Sequence, residues 1–373
     1  MSASHNAILT LNSGSSSLKF GVFINSGNDE ELLLSGGAQG IGRSDGTLHI
    51  QSSDGATLLH RDAVHESQPE ALKAIAASLQ NHLHESPIAV GHRIVHGGPH
   101  LREHQRITPQ LLETLDVAVH FAPLHIPAAL QLVRQSQEIF SDATHIACFD
   151  TAFHRTMPPV AACLPLPSHY FEEGVMRYGF HGLSYESIVH HLGSSLPERT
   201  VMAHLGNGSS VTAVFRGNSL DTSMGLTPTG GVVMGTRTGD LDPGVLLYLM
   251  RKEALDADAL ETLVNRSSGL AGYSSGESDM RALLQRRIAG DAAATLAIDA
   301  FCVSVRKTIG AYAALMGGID LLVLTGGIGE HSDDVRNRIS GGLTFLGLTP
   351  DRIVIVPAQE ELQIARHCRT ILQ

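Results

Sequence analysis

Apolar runs alternate with polar turns along this chain, and the period of each run predicts an element. Ile8-Leu9-Thr10-Leu11 reads as a strand, Asn12-Ser13-Gly14-Ser15-Ser16-Ser17 as a tight turn, and Leu18-Lys19-Phe20-Gly21-Val22-Phe23 as a returning strand. The chain therefore opens on a polar β-hairpin. A similar unit recurs half a chain later at Val201 to Phe215, where Leu205-Gly206-Asn207-Gly208-Ser209-Ser210 separates two apolar runs and repeats the Gly-Ser-Ser of Gly14 to Ser16. Such a repeat suggests two related halves, each opening on a hairpin whose backbone N–H groups can hold phosphate.

Between the hairpins, helix-like periodicity at Pro69 to Leu83, near Pro109 to His120 and at Pro127 to Phe140 alternates with strand-like runs at Ile88 to Val95 and His145 to Phe149. The first half is thus α/β. In the second half, Asp299 to Met316 places Phe301, Val305, Ile309, Tyr312 and Leu315 at helical spacing and is closed by Gly317-Gly318. Leu321 to Leu324 then reads as a buried strand, Thr325 to Glu330 as a Gly-rich turn, and Ser332-Asp333-Asp334-Val335 as a helix start. Strand, glycine turn and helix N-terminus together make a nucleotide-site candidate.

Composition narrows the classes. At 373 residues the chain exceeds one usual core, and 43% hydrophobic against 17% charged residues describes a globular protein in two domains or one duplicated domain. A net charge of −11 argues against a nucleic-acid or anionic-membrane partner. Lys is confined to Lys19, Lys73, Lys252 and Lys307, so most fixed positive charge is Arg, the side chain suited to clamping carboxylate and phosphate. Cys148, Cys163, Cys302 and Cys368 lack metal-ligand or disulfide-scaffold spacing, and no apolar stretch reaches the ~18 residues of a membrane span. The expectation is a cytoplasmic protein.

Three Gly-rich turns, Asn12 to Ser17, Gly206 to Ser210 and Gly326 to Gly329, each follow an apolar strand, so backbone can approach phosphate oxygens with no Cβ in the way. Taken singly, each is better read as an ordinary hairpin or helix entry. No Gly-Lys-Ser/Thr follows a glycine loop, which excludes a P-loop, and Gly326-Gly327-Ile328-Gly329 lacks dinucleotide spacing. Asp150 ends a strand, where an open α/β sheet carries catalytic carboxylates or where an Asp simply caps a turn. Arg93 and Arg237 sit among small residues that leave a guanidinium accessible for anion clamping, and His181 is placed to donate to a phosphoryl group or to serve the packing.

Taken together these stretches resemble the acetate kinase family. The resemblance rests on Asn12 to Lys19, His92 to Gly98, Phe149 to His154, Arg177 to Gly182, His204 to Gly208, Met234 to Pro243, Ser278 to Arg281 and Gly326 to Glu330, all in the family's order and spanning nearly the whole chain. It implies the duplicated ribonuclease-H-like α/β fold of the actin and hexokinase superfamily. The active site would lie in an interdomain cleft, with a first domain over 1–152, a nucleotide-binding domain over 153–360 and the segment 361–373 packing on the first. It implies reversible, direct in-line phosphorylation of acetate to acetyl phosphate by ATP, by a cytoplasmic homodimer that uses Mg2+, with Mn2+ as a substitute.

Carried over by position, Asn12 and Glu360 would serve the metal. Lys19, His204, Leu205, Gly206, Asn207, Gly208, Asp279, Met280, Arg281, Gly327, Ile328, Gly329, Glu330 and His331 would hold ATP. Arg93 and Arg237 would clamp the carboxylate and the moving phosphoryl group, His181 would stabilise the transition state, and Val95, Leu124, Phe180 and Pro228 would line the acyl pocket. The family casts Asp150 as an acid or base. A carboxylic acid substrate of pKa about 4–5 is already ionised at neutral pH, so orientation of Mg2+ or its water shell is the expected role.

His331, Gln359 and the run Leu183-Ser184-Tyr185 depart from the family pattern, which leaves a propionate or other short-chain acyl kinase as the alternative. Two rivals come from other classes. Gly272-Tyr273-Ser274-Ser275-Gly276 matches a serine-hydrolase elbow, but a polar turn precedes it where the elbow needs a buried strand. A non-catalytic sensor on the same fold is disfavoured because Asn12, Arg93, Asp150, His181 and Arg237 are all retained.

Overall fold

The computed structural model describes residues 6–14, 16–27, 29–83, 85–122 and 125–373. The chain divides into two compact units, one formed by 1–152, 182–187 and 359–373, the other by 153–181 and 188–358.

The first unit holds a sheet of eight strands: β1 (Ile8–Ser13), β2 (Ser17–Asn25), β3 (Glu30–Gln39), β4 (Thr47–Ser52), β5 (Thr57–Asp62), β6 (Ala89–Ile94), β7 (Gln105–Arg106) and β8 (Thr144–Phe149). Their spatial order is β5-β4-β3-β2-β1-β6-β8-β7. The opening hairpin is polar only at its turn. Ile8 to Asn12 are all buried, because β1 lies mid-sheet between antiparallel β2 and parallel β6 and is covered on both faces. On one face, Leu72 and Ile75 of the helix Gln68–Leu79 and Leu132 of the helix Ile126–Ile139 join Leu9, Leu11 and Phe20 in the core. The other face receives Ile364, Ala365 and Cys368 of the C-terminal helix Glu360–Leu372.

The second unit has five strands, β9 (Arg199–Leu205), β10 (Ser209–Phe215), β11 (Asn218–Thr222), β12 (Leu321–Thr325) and β13 (Ile353–Ile355), ordered β11-β10-β9-β12-β13. Two antiparallel neighbours stand on one side of β9 and two parallel ones on the other. The run β3-β2-β1-β6-β8 has the same pairing pattern. The repeat suggested by two Gly-Ser hairpins is therefore a repeat of a five-stranded topology.

Most sequence periods fall on their elements. The long helix begins earlier than its apolar spacing indicates, at Ala292, where the Asp291 side chain accepts from the N–H groups of Ala293 and Ala294. Phe301, Val305 and Ile309 enter the core, whereas Leu315, assigned to the same buried stripe, is 52% exposed at the helix end. Gly326 to His331 is a short helix rather than a turn, entered through Gly326 at φ 77°. Ser332 caps the next helix, Asp333–Ser340, as its sequence implied. No helix among the described residues is long and apolar enough to cross a membrane.

Gly91, in the middle of β6, is where the C-terminal helix comes closest to the sheet. An added Cβ there would meet the side chain of Ile364 and lie 2.6 Å from Cys368 Sγ. Gly91→Ala should therefore lower stability by about 1–3 kcal/mol through overpacking. An unchanged urea midpoint would show that the helix yields at no cost.

Candidate functional site

Three parallel strands of the first unit, β1, β6 and β8, end side by side, with Leu11 opposite His92 and Ile94 opposite Phe149. Their carboxyl ends present Asn12, Arg93 and Asp150, the edge at which open α/β sheets place their ligands. The Arg93 guanidinium is held by its neighbours through all three of its nitrogens. Nε donates to both Asp150 oxygens at 3.1 and 2.9 Å, Nη2 donates to Oδ2 at 2.5 Å, and Nη1 donates to Asn12 Oδ1 at 2.9 Å. The Asn12 amide then donates to Glu360 Oε2 at 2.8 Å and Glu361 Oε1 at 2.9 Å, both in the first turn of the C-terminal helix.

Burial pushes the Asp150 carboxyl up to about 6; Arg93 opposes that shift and the carboxylates of Glu360 and Glu186 add to it. Arg93 loses by its own burial, yet Asp150 and Glu360 hold it charged above its ordinary range. Three carboxylates thus share one guanidinium. The surplus negative charge and the hard oxygen donors fit a divalent cation such as Mg2+ better than a softer metal. Glu361 was not singled out from sequence. Its adjacency to Glu360 at a helix start was the available signal.

The second unit assembles a different surface around the loop after β9. His181 stands at φ 59° immediately before the helix Gly182–Leu192, a left-handed conformation that costs a non-glycine residue about 1 kcal/mol. Its Nδ1 lies 2.9 Å from Ser210 Oγ, and its ring stacks on His204 with centroids 4.2 Å apart. Arg237 is aimed by a hydrogen bond from Nη1 to the Pro228 carbonyl at 2.9 Å. A Cβ placed on Gly208 would stand 3.4 Å from Arg237 Nη1 and 3.5 Å from His181 Nε2. Arginine and histidine therefore converge over a glycine of the loop, the geometry needed for an anion whose charge builds up during reaction.

The two nucleotide-loop candidates are neighbours because β9 and β12 pair in parallel, with His204 opposite Thr325. Gly326 packs against the Leu205 backbone so closely that a Cβ would lie 2.7 Å from its carbonyl oxygen, while Gly327 faces open space. Asn207 is exposed, and Gly206 and Gly208 are half-buried. Several sequence-assigned ATP residues have other employment. Glu330 Oε1 accepts from the N–H groups of Gly326 at 2.9 Å and Ala358 at 3.1 Å, so its carboxylate ties the loop together. Leu205 and Met280 are core side chains, which leaves only their main chain on this surface.

Asp279 caps the helix Met280–Ile288 and pairs with the exposed Arg281, whose hydrogen bond and the helix N–H groups hold the carboxyl down near 2. Ile328 is half-buried and His331 exposed at the end of its short helix. Of the acyl-pocket candidates, Val95 in the first unit is half-buried; in the second, Phe180 is buried and Pro228 is half-buried. Leu124 lies outside the described residues. Lys19 is exposed directly across the hairpin from Asn12. Ser274 ends a short helix, is fully buried and donates to the Glu277 carbonyl at 2.6 Å, so no nucleophile elbow exists there.

The acetokinase family model matches residues 7–366. The chain is 40% identical to the acetate kinase of Leifsonia xyli subsp. xyli, covering 96% of this chain and 97% of that one. It is 36% identical to the acetate kinase of Thermoanaerobacterium thermosaccharolyticum, covering 98% and 99%. Among solved structures, Porphyromonas gingivalis acetate kinase superposes with a TM-score of 0.86 at 34% identity, covering 99% of this chain and 100% of that one. A propionate kinase from Francisella tularensis gives 0.89 at 33% identity, covering 97% and 98%.

Because Asp150 is harder to ionise in the fold than in the unfolded chain, its contribution to stability is present at low pH and lost as pH rises through about 6. With divalent cations chelated, the melting temperature of the wild type relative to Asp150→Asn should rise as pH is lowered from about 7 to about 5. A difference that stays flat across that window would mean that Asp150 ionises as readily in the fold as out of it.

Proposed function

The chain belongs to the acetokinase family, and from that premise we propose that it transfers the γ-phosphoryl group of ATP reversibly to a carboxylate oxygen of acetate, giving acetyl phosphate and ADP. The observation that carries this reading is the convergence of Arg237 and His181 over the Gly208 backbone. In-line transfer through a loose transition state spreads charge over three equatorial oxygens, and this arrangement supplies two cationic or donor side chains and backbone to meet it.

Acetate arrives ionised at neutral pH, so no group has to remove a proton from the attacking oxygen. Asp150 therefore acts through Arg93. Its bidentate grip fixes the guanidinium plane, so Arg93 meets the substrate carboxylate with its orientation already determined. This refines the expectation that Asp150 chiefly orients a metal.

Asn12 and Glu360, with Glu361 beside them, would hold Mg2+, for which Mn2+ would substitute. The ion, when bound, supplies charge neutralisation for the nucleotide phosphates. Asn12 must turn its amide for that role, since its oxygen accepts from Arg93 and its nitrogen faces the carboxylates in this structure. The loops at His204 to Gly208 and Gly327 to Gly329 would cradle the phosphates, with Asp279, Arg281 and His331 toward the base and Lys19 contributing charge.

We also propose a cytoplasmic homodimer. The helix Pro243–Glu253 buries none of its residues, and Leu247 and Tyr248 are 51% and 57% exposed on it, an apolar surface that a second copy would cover.

Coupled measurement of ADP release with acetate, propionate and butyrate should give the highest kcat/KM for acetate; a higher value for propionate would support the alternative reading, and no ADP with any of them would remove the assignment. Arg237→Ala should cut kcat by about 10²-fold or more with the KM for ATP changed little, because the clamp acts on the transition state. Near-normal turnover would take Arg237 out of the mechanism. Light scattering should show a dimer that Leu247→Asp with Tyr248→Asp converts to monomer, and a monomeric wild type would end the dimer proposal.

A further inference from the structure

One cluster of titratable side chains has no part in the reaction above: His104, Glu186 and His367, all within the first unit. His367 Nε2 lies 2.7 Å and His104 Nε2 3.4 Å from Glu186 Oε2, and the two imidazole rings are in contact at a centroid separation of 3.8 Å, tilted by 37°. Two histidines and a carboxylate are a common donor set for transition metals. The hydrogen bonding argues against that use. The Phe149 N–H donates to His104 Nδ1 at 3.0 Å, so the neutral ring carries its proton on Nε2 and points it at Glu186, with no lone pair there for an ion. A metal-bound histidine has the reverse polarity, its second nitrogen donating outward. Glu186 is instead an ionised carboxylate clamped between two imidazoles: burial alone would raise its pKa, but the hydrogen bonds from both rings hold it near 2.

The two ends of this clasp reach the two sides of the acidic site. Phe149 is the last residue of β8, directly before Asp150, and His104 leads into β7, which pairs with β8. His367 lies seven residues beyond Glu360 on the C-terminal helix, two turns along the same stripe, so a rotation of the helix that displaces one displaces the other. The ion pairs of Arg366 with Asp29 and Arg369 with Glu30 anchor that helix elsewhere and involve neither β8 nor the helix that carries Glu186.

We propose that His104, Glu186 and His367 are positioning residues for the metal-binding carboxylates: the clasp sets the rotation of the C-terminal helix against the end of β8, and with it the placement of Glu360 and Glu361 beside Arg93 and Asp150. This rests on the assignment of Glu360 to the metal made above. Weakening the clasp loosens metal binding while the acetate and phosphoryl clamps keep their geometry.

The test is the Mg2+ dependence of ADP formation by the full-length protein at saturating ATP and acetate. Glu186→Gln and His367→Asn should each raise the half-saturating Mg2+ concentration by about threefold to tenfold, below the roughly 10–100-fold that follows loss of a partner bonded directly to a ligand. In both variants kcat at saturating Mg2+ and the KM for acetate stay near wild type, which a merely structural defect would not allow. Glu360→Ala, measured in parallel, separates the two ideas. If it leaves the Mg2+ dependence unchanged, the metal assignment itself is wrong. If it shifts the dependence while either clasp variant, folded by circular dichroism, keeps the wild-type value, the clasp proposal alone falls. Stoichiometric binding of Zn2+ or Co2+ that disappears in His367→Asn would also overturn it, since His104 would then have to give up the Nε2 proton.

Discussion

Arg93 shares its surroundings with Asp150, Glu360 and Glu361, and much of the first unit is arranged around that imbalance. A charge taken from water costs several kcal/mol unless its partners are fixed and its hydrogen bonds satisfied. Here each donor of the guanidinium that points into the group has an oxygen, and Asn12 bridges to the two glutamates. That satisfaction demands that β1, β6 and β8 end in register and that the C-terminal helix dock with its first turn against Asn12. The docking depends in turn on a residue with no side chain at Gly91, where the helix meets the sheet.

The second unit solves a related problem by different means. Its sheet repeats the strand pairing of the first, yet the loop after its first strand buries no cluster of carboxylates. Gly327 leaves backbone uncovered, Arg237 is aimed by a carbonyl and reaches the Gly208 backbone, and His181 is held in a strained conformation against Ser210 and His204. One topology thus carries carboxylates around a guanidinium at its edge in one copy, and an arginine, a histidine and glycine backbone in the other.

Where single residues were assigned roles from motif position, the structure shows what else holds several of their side chains. Glu330 closes its own loop through backbone N–H groups, and Leu205 and Met280 spend their side chains in the core. Asp150 is bonded to Arg93, a link no spacing along the chain could express, because the two are 57 residues apart. Glu361 and Glu186 escaped notice for the same reason. Each is an ordinary acidic residue at the start or in the body of a helix until a distant segment brings it a partner.

The sequence by itself determined the class and those elements with a clear apolar period; β3 to β5, β11, β13 and the C-terminal helix were not read from it. Repeated Gly-Ser turns revealed the duplication, and the ordered motifs identified the family, since these signals are local and survive in linear order. Tertiary structure alone decided which charges are buried together, which glycines are open to a ligand and which are packed against backbone, and which acidic residue faces a histidine. Those outcomes depend on contacts between segments tens to hundreds of residues apart, and the energy of a buried charge is set by neighbours that the chain supplies only once it has folded.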